Sequence, residues 1–305
     1  MSSTARAPDP ARTAPAPVGA PVFCPVCGLA TERLAPGPGG RPLAACPWCG
    51  SLERHRLLTV LLRGMAADLA GGRFLEVAPS PFTTGLLRRL GPSRLVTCDV
   101  DPSADGRSVD VQASLTRLPF RDGVFDLVLC LHVLEHVRDD GSAVAELARV
   151  LAGTGHGVVQ VPWEAGKPTD EYPEPTTEAE RIARFTRADH VRQYGGTTLE
   201  DRLAAAGLEV ERFASADLFG PDVVRALGLA PAEVTWLVRP ARPDGGPVRR
   251  SLRDQVRRWL AEVTGPDGNR LPDLLPPLVA ASARIGVLER ELAAVQRSPA
   301  ATRRR

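Results

Sequence analysis

Four of the six cysteines stand in two short pairs, Cys24-Pro-Val-Cys27-Gly and Cys46-Pro-Trp-Cys49-Gly, with eighteen residues between the pairs. A Cys-x-x-Cys turn followed by glycine aims two sulfurs at one ion, and two such turns complete a tetrahedron. The spacing predicts a four-thiolate zinc site on Cys24, Cys27, Cys46 and Cys49, with iron in a rubredoxin-like knuckle pair as the alternative ion. Protein fills every position, so the ion is structural, with partner contact as an added role. About twenty-five residues cannot bury a core of their own, so the metal supplies the folding energy. Cys98 and Cys130 lie inside apolar runs and read as buried core thiols.

A second constellation is His132-Val-Leu-Glu135-His136. The His-x-x-Glu-His spacing is that of inverted zinc proteases, but these five residues straddle a strand end instead of lying within a helix, so that reading is set aside. His132 is then a candidate general base, with capping of the following helix as the alternative. His136 reads as structural, and Glu135 is left without a role. Two earlier runs end in Leu75-Glu76-Val77-Ala78-Pro79-Ser80 and Thr97-Cys98-Asp99-Val100-Asp101. Ligands of open parallel sheets bind beyond the carboxyl ends of strands, and an acid ending the second strand suits ribose hydroxyls. Further on, Asp189-His190-Val191-Arg192-Gln193-Tyr194-Gly195 offers His190 and Tyr194 as substrate contacts or as members of a loop hydrogen-bond network. Arg192 is an anion holder or a surface arginine, and Asp189 orients His190 or starts a helix. Trp163, Glu164, Tyr172 and Glu174 lie in the same stretch, where packing is preferred to stacking on a planar acceptor.

These residues need a scaffold, and the hydrophobic pattern describes one. Short apolar runs occur at 73–78, 94–100, 124–131 and 157–162, with helical stretches at 83–90 and 142–152, the latter opened by Ser142. Alternating buried strands and helices indicate an α/β, doubly wound parallel sheet. Runs at 208–214 and 233–239 pair as antiparallel strands at one edge. Ser51 caps a preceding helix that ends at Gly71-Gly72. After Pro240, one helix carries Val248, Leu252, Val256, Trp259 and Val263 on one face. A second carries Leu278, Ala281, Ile285, Leu288, Leu292 and Val295, spaced as about two and a half heptads. That stripe packs on its own domain, with a homodimer through these helices as the alternative.

Residues 1–21 are Ala/Pro-rich and read as a disordered tail. The expected organisation is that tail, a zinc ribbon over 22–50, a domain with its leading helix over 51–239, and an Arg-rich helical extension over 240–305. Six arginines against three acids in 1–60, and thirteen against seven in 240–305, leave the middle at −7 within a net +2. An acidic middle argues against a whole-surface nucleic-acid binder. No run approaches eighteen apolar residues and no apolar leader opens the chain, so a cytoplasmic protein without a membrane segment is the default.

Leu118-Pro119-Phe120-Arg121-Asp122-Gly123-Val124-Phe125-Asp126, the strand leading to His132, and Glu146-Leu147-Ala148-Arg149-Val150-Leu151 together resemble a class I S-adenosylmethionine-dependent methyltransferase, type 11-like. The cysteine knuckles, Cys49-Gly-Ser-Leu-Glu-Arg-His-Arg56 and Asp189–Gly195 narrow the likeness to a bacterial subgroup with an N-terminal four-cysteine zinc ribbon, over roughly 22–239. The resemblance implies a Rossmann-like seven-stranded sheet with its last strand antiparallel, and S-adenosylmethionine over the ends of the first four strands. It further implies that Glu76, Val77, Ala78 and Pro79 form the cofactor loop and that Asp99 holds the ribose. Ser114 would border the adenine, and Leu131 with His132 would line the methyl side. The sequence departs from the family where Ala78-Pro79-Ser80 replaces a glycine-rich loop, and where Ser114 replaces an acid. The implied activity is methyl transfer to a small-molecule or glycan-type acceptor, at oxygen or nitrogen before carbon. The alternatives are an RNA methyltransferase that uses the ribbon for substrate, and a catalytically inactive binding module.

Overall fold

The computed structural model describes residues 22–103, 109–171, 177–185, 187–241 and 251–264. In chain order it opens with β1 (Val22–Phe23), β2 (Ala30–Thr31), α1 (Glu53–Gly64) and α2 (Ala66–Leu69). Next come β3 (Arg73–Val77), α3 (Pro81–Arg89), β4 (Arg94–Asp99), β5 (Val111–Gln112), β6 (Phe125–Leu131), α4 (Asp140–Val150) and β7 (Leu151–Gln160). The following segment forms β8 (Trp163–Glu164), β9 (Asp170–Glu171), α5 (Glu178–Phe185) and β10 (Arg192–Gly195). The rest is α6 (Thr198–Ala205), β11 (Leu208–Ala214), α7 (Ser215–Leu218), α8 (Pro221–Ala226), β12 (Val234–Pro240) and α9 (Leu252–Thr264).

Seven strands form one sheet in the order β11-β12-β7-β6-β3-β4-β5. β3 to β7 run parallel, while β12 is antiparallel to both β7 and β11. This is the expected α/β sheet with its last strand reversed. The chain steps outward from β3 to β5 and then returns to place β6 on the other side of β3, so the order reverses between β3 and β6. Phe74, Leu75, Leu127, Val128 and Leu129 are all buried, as a sheet covered on both faces requires.

Three local signals resolve differently from their sequence reading. Asp139, not Ser142, caps α4: its carboxylate accepts from the Ser142 N–H at 3.0 Å and the Ser142 hydroxyl at 2.6 Å. A carboxylate is the stronger acceptor at a helix N-terminus. Ser51 does not cap α1 but lies 3.2 Å from both Cys24 Sγ and Cys49 Sγ. α3 begins earlier than its apolar residues suggest, because Ser80 and Thr83 form a capping box ahead of Pro81.

Two compact units divide the described residues: 22–60, 215–233 and 263–264 make one, and 61–214 with 234–262 the other. In the first, Arg56 is fully buried and donates to the carbonyls of Ser51 at 2.6 Å, Ala44 at 3.0 Å and Gly228 at 3.0 Å. Gly228 has a left-handed backbone, φ +59°, and a Cβ there would come within 2.8 Å of Val22. In the second, α9 buries Leu252 and Val256 and sets Arg253 over the Phe213 ring. Among the described residues, no helix is long and apolar enough to cross a membrane. The tail, Tyr172, Glu174, Val248 and the 278–295 stripe lie outside the described residues.

Candidate functional site

The carboxyl ends of β3, β4, β5 and β6 bring four of the predicted segments to one edge of the sheet. After β3, Ala78 takes the left-handed backbone, φ +51°, and its N–H donates to the Cys98 carbonyl at 2.8 Å. The chain thus keeps here, on an alanine, the conformation that glycine usually provides. Ala78→Gly is therefore expected to stabilise the protein by about 1 kcal/mol, read from the denaturant midpoint. Glu76 does not face outward: the Thr84 hydroxyl donates to Oε2 at 2.6 Å, the Thr83 hydroxyl donates to Oε1, and the Ser80 N–H lies at 3.4 Å. Burial pushes this carboxyl up, and the hydroxyls partly pull it back. Glu76 accordingly ties the loop of Ala78 and Pro79 to the start of α3, while Val77 stays in the core.

At the end of β4, Asp99 Oδ1 accepts from the Asp101 N–H at 3.0 Å, and the Asp99 carbonyl accepts from the Ala113 N–H at 2.9 Å. Ser114, just past β5, is exposed, with its Oγ 2.9 Å from Thr116 Oγ1. Leu131 ends β6. His132 follows in a left-handed backbone, φ +55°, donating its N–H to the Gln160 carbonyl at 2.8 Å. Cys98 and Cys130 are buried core residues as expected, and burial pushes the Cys98 thiol up to about 12. Neither is a reactive thiolate.

Beyond His132 the chain makes one tight turn over Leu134–His136, and the segment after β7 folds onto it. The Val191 N–H donates to the Glu135 carbonyl at 2.9 Å. His136 Nδ1 lies 3.0 Å from the Asp189 carbonyl, and the His136 and His190 rings meet edge to face at 4.7 Å. His132 Nδ1 lies 3.3 Å from Glu135 Oε1. Desolvation holds buried His190 below the ordinary imidazole range. His132 and His190 are thus brought together around Glu135. Tyr194 is not among them, since it is fully buried and donates its hydroxyl to Asp140 Oδ2 at 2.5 Å.

Arg192 is neither a surface arginine nor an exposed anion holder. Its guanidinium is buried and donates to the carbonyls of Leu134 at 2.8 Å, Arg138 at 2.7 Å and Val137, and to Glu171 Oε2 at 3.0 Å. Asp189 pairs with Arg187 at 2.9 Å and with His136, instead of orienting His190 through its carboxylate. The Arg187 guanidinium holds that carboxyl down at about 2. Trp163 packs edge to face on Trp236 and donates its ring N–H to the Gly196 carbonyl, so packing prevails there. A cleft of about 430 Å³ between Asp126, His156 and Gln255 opens at the amino ends of β3 and β6, the edge opposite these residues.

In the N-terminal unit, Cys24 Sγ lies 3.8 Å from Cys49 Sγ, and Cys27 Sγ lies 3.8 Å from Cys46 Sγ. All four sulfurs fall within 4.8 Å of one another. A tetrahedron with bonds of about 2.3 Å has edges of about 3.8 Å. The cluster therefore fits a four-coordinate ion and is far too open for disulfides.

Residues 77–159 match the family model of the methyltransferase domain. Over 49 residues, 16% of this chain, the sequence is 47% identical to the uncharacterized protein MJ0638 of Methanocaldococcus jannaschii. The chain thus spans about a fifth, 21%, of the curated relative it matches. Similar solved structures include the YcgJ protein of Bacillus subtilis, at 15% identity over 61% of this chain and 100% of that one, with a TM-score of 0.39. The S-adenosylmethionine-dependent methyltransferase of Mesorhizobium loti shares 17% identity over 58% of this chain and 95% of its own, with a TM-score of 0.41. The 1,6-didemethyltoxoflavin-N1-methyltransferase of Burkholderia thailandensis, solved with bound 1,6-didemethyltoxoflavin and S-adenosylhomocysteine, shares 17% identity over 62% of this chain and 79% of its own, with a TM-score of 0.42. Residues 77–159 thus match a methyltransferase domain, and they lie on a seven-stranded sheet with a reversed last strand, the architecture that the sequence resemblance implies.

Proposed function

We propose that the protein transfers a methyl group from S-adenosylmethionine to an oxygen or nitrogen of a small-molecule or glycan-type acceptor. The observation that carries this reading is that the methyltransferase match over 77–159 falls on the strands whose carboxyl ends hold Ala78, Asp99 and Leu131. S-adenosylmethionine, when bound, supplies a methyl group activated by its sulfonium, and in-line displacement from it needs alignment above all. The left-handed backbone at Ala78 gives the close approach that a cofactor loop needs, with Pro79 stiffening it and Glu76 and Val77 anchoring it. Asp99 offers the ribose hydroxyls a carboxylate whose angle is fixed by the Asp101 N–H. Ser114 borders the adenine and Leu131 the methyl group.

Where the acceptor must lose a proton, His132 is the base: its Nδ1 is directed at Glu135, and its Nε2, buried and without a hydrogen-bond partner, takes the proton once the acceptor is seated against it. His190 shares that side of the site. Tyr194 acts indirectly, holding Asp140 at the start of α4. A small acceptor accords with the segment after β7 closing over the turn past β6, and with the acidic middle of the chain. The ion on the four cysteines is zinc in a structural role, since protein sulfurs fill every position.

Calorimetric titration of the metal-loaded full chain with S-adenosylmethionine and S-adenosylhomocysteine tests the reading. Micromolar affinity, about −8 kcal/mol, is expected, weakened at least tenfold by Asp99→Ala. Absence of binding to the unaltered protein would turn the reading to a methyltransferase-fold binding module.

A further inference from the structure

Glu135 is a carboxylate that the fold buries without hydrogen bonds. The residue is 1% exposed, and neither carboxylate oxygen has a hydrogen-bond partner. A charge so placed is unfavourable unless a cation meets it, and His132 Nδ1, 3.3 Å from Oε1, leaves Oε2 unmet. His190, 5% exposed, likewise has no hydrogen-bond partner for Nδ1. One ligand-capable atom from each of Glu135, His136 and His190 lies within 4.8 Å of the others. His136 adds a directional feature. Its Nδ1 sits 3.0 Å from the Asp189 carbonyl and 3.5 Å from Asp189 Oδ2. Those acceptors place the proton on Nδ1 and leave the Nε2 lone pair for a ligand, as carboxylate-supported metal histidines require.

We propose that Glu135, His136 and His190 bind a divalent transition-metal ion, in a site separate from the four cysteines. Two imidazoles and one carboxylate select borderline ions such as zinc or iron(II) over magnesium or calcium, which prefer oxygen alone. Bonds of about 2.1 Å set ligand atoms about 3.4 Å apart around a tetrahedral ion, a contraction that side-chain rotation supplies. Glu135 Oε1 is the oxygen near His132, which leaves Oε2 for the ion. The support is rigid. Arg192 fastens three carbonyls of the turn, and the Val191 N–H holds the Glu135 carbonyl, so the two halves of the site are joined before any ion arrives. The motif set aside as a protease signature thus contributes Glu135 and His136, and not its two histidines. Three protein ligands keep a position open for a water or an acceptor oxygen. That last role rests on the methyl-transfer reading and favours a hydroxyl-bearing acceptor; the site itself does not depend on it.

The test uses the full chain with its cysteine-bound ion in place. Protein is equilibrated with zinc, desalted and assayed for metal by mass spectrometry, and the weaker site is titrated against a chromophoric chelator. The unaltered protein is expected to hold one equivalent beyond the cysteine-bound ion. Glu135→Gln and His190→Ala are expected to lose it or bind it at least tenfold more weakly, with circular dichroism confirming that they fold. Should His190→Ala fail to fold, the near-isosteric Glu135→Gln decides. A wild-type protein with only the cysteine-bound equivalent, or folded variants that retain the second, overturns the proposal. S-adenosylmethionine calorimetry on the same samples reads methyl transfer separately: cofactor binding without a second ion sinks this site alone.

Discussion

Removing the ion from Cys24, Cys27, Cys46 and Cys49 is expected to unfold the N-terminal unit as a whole. Ahead of α1, the described part of that unit has a two-stranded ladder and one short 3-10 turn, too little secondary structure to hold the cysteine segment in place by itself. Binding of structural zinc to such knuckles is worth on the order of 10 kcal/mol and is not separable from folding. A second consequence follows from Arg56. Burial disfavours its guanidinium charge, and Cys24, Glu53, Cys46 and Cys49 offset part of that cost. Once the thiolates protonate or scatter, Glu53 is the acid left to offset the buried Arg56 charge, and the guanidinium's bonds to Ser51, Ala44 and Gly228 weaken together. Hydrogen exchange after chelation should therefore show lost protection at the Ala44, Ala45 and Cys46 amides and also at Ser215 and Ala216, far away in sequence but in the same unit. Amides within β3, β4 and β6 should keep theirs. Cys27→Ser is expected to reproduce the chelated pattern. Unchanged protection in 22–60 would remove the metal from the account of this unit's stability.

What could be read from the chain, and what could not, divides by the range of the interaction. The cysteine site was legible because its spacing is local: each pair sits in one turn, and only the meeting of two turns had to be inferred. β3, β4 and β6 were legible because buried parallel strands are continuous apolar runs. β7 starts earlier than its apolar run, at Leu151 directly after α4, because Gly153, Thr154 and Gly155 interrupt the run without breaking the strand. The helix starts at Ser80 and Asp139 turned on which of several nearby oxygens captures an N–H, a contest that composition does not decide. Glu135, His136 and His190 were out of reach for another reason. His136 and its partner Asp189 are 53 positions apart, and only the docking of the segment after β7 brings them together. The spacing of His132, Glu135 and His136 is local, whereas His190, which the fold sets beside Glu135 and His136, comes from a different element.

That docking makes Arg192 the residue whose loss should matter most within the second unit. Its side chain is 5% exposed, and its donors meet the carbonyls of Leu134, Val137 and Arg138 and the carboxylate of Glu171. Arg192→Met keeps the bulk and removes every donor. The carboxylates would survive the change, since Asp140 and Glu171 both also pair with Arg202. The carbonyls would fare worse: Leu134 would keep only the Val137 N–H at 3.2 Å, while the part-buried Val137 and Arg138 carbonyls would lose their guanidinium donor, at about 1–3 kcal/mol for each acceptor left unmet. With partial relaxation toward solvent, a destabilisation of about 3–5 kcal/mol is expected, read from denaturant midpoints of the metal-loaded protein. Arg192→Lys should fall between, because one ammonium cannot span the fan of acceptors that a planar fork serves. Arg202→Ala, at a side chain 25% exposed, should cost less. The ordering matters more than any one value. A purely electrostatic role for Arg192 would make Arg192→Lys nearly silent and Arg202→Ala comparable to Arg192→Met. A clamp on the turn predicts instead that Arg192→Met also weakens the second metal equivalent while leaving Glu135, His136 and His190 chemically intact, because it is their positions, not their donors, that the guanidinium supplies.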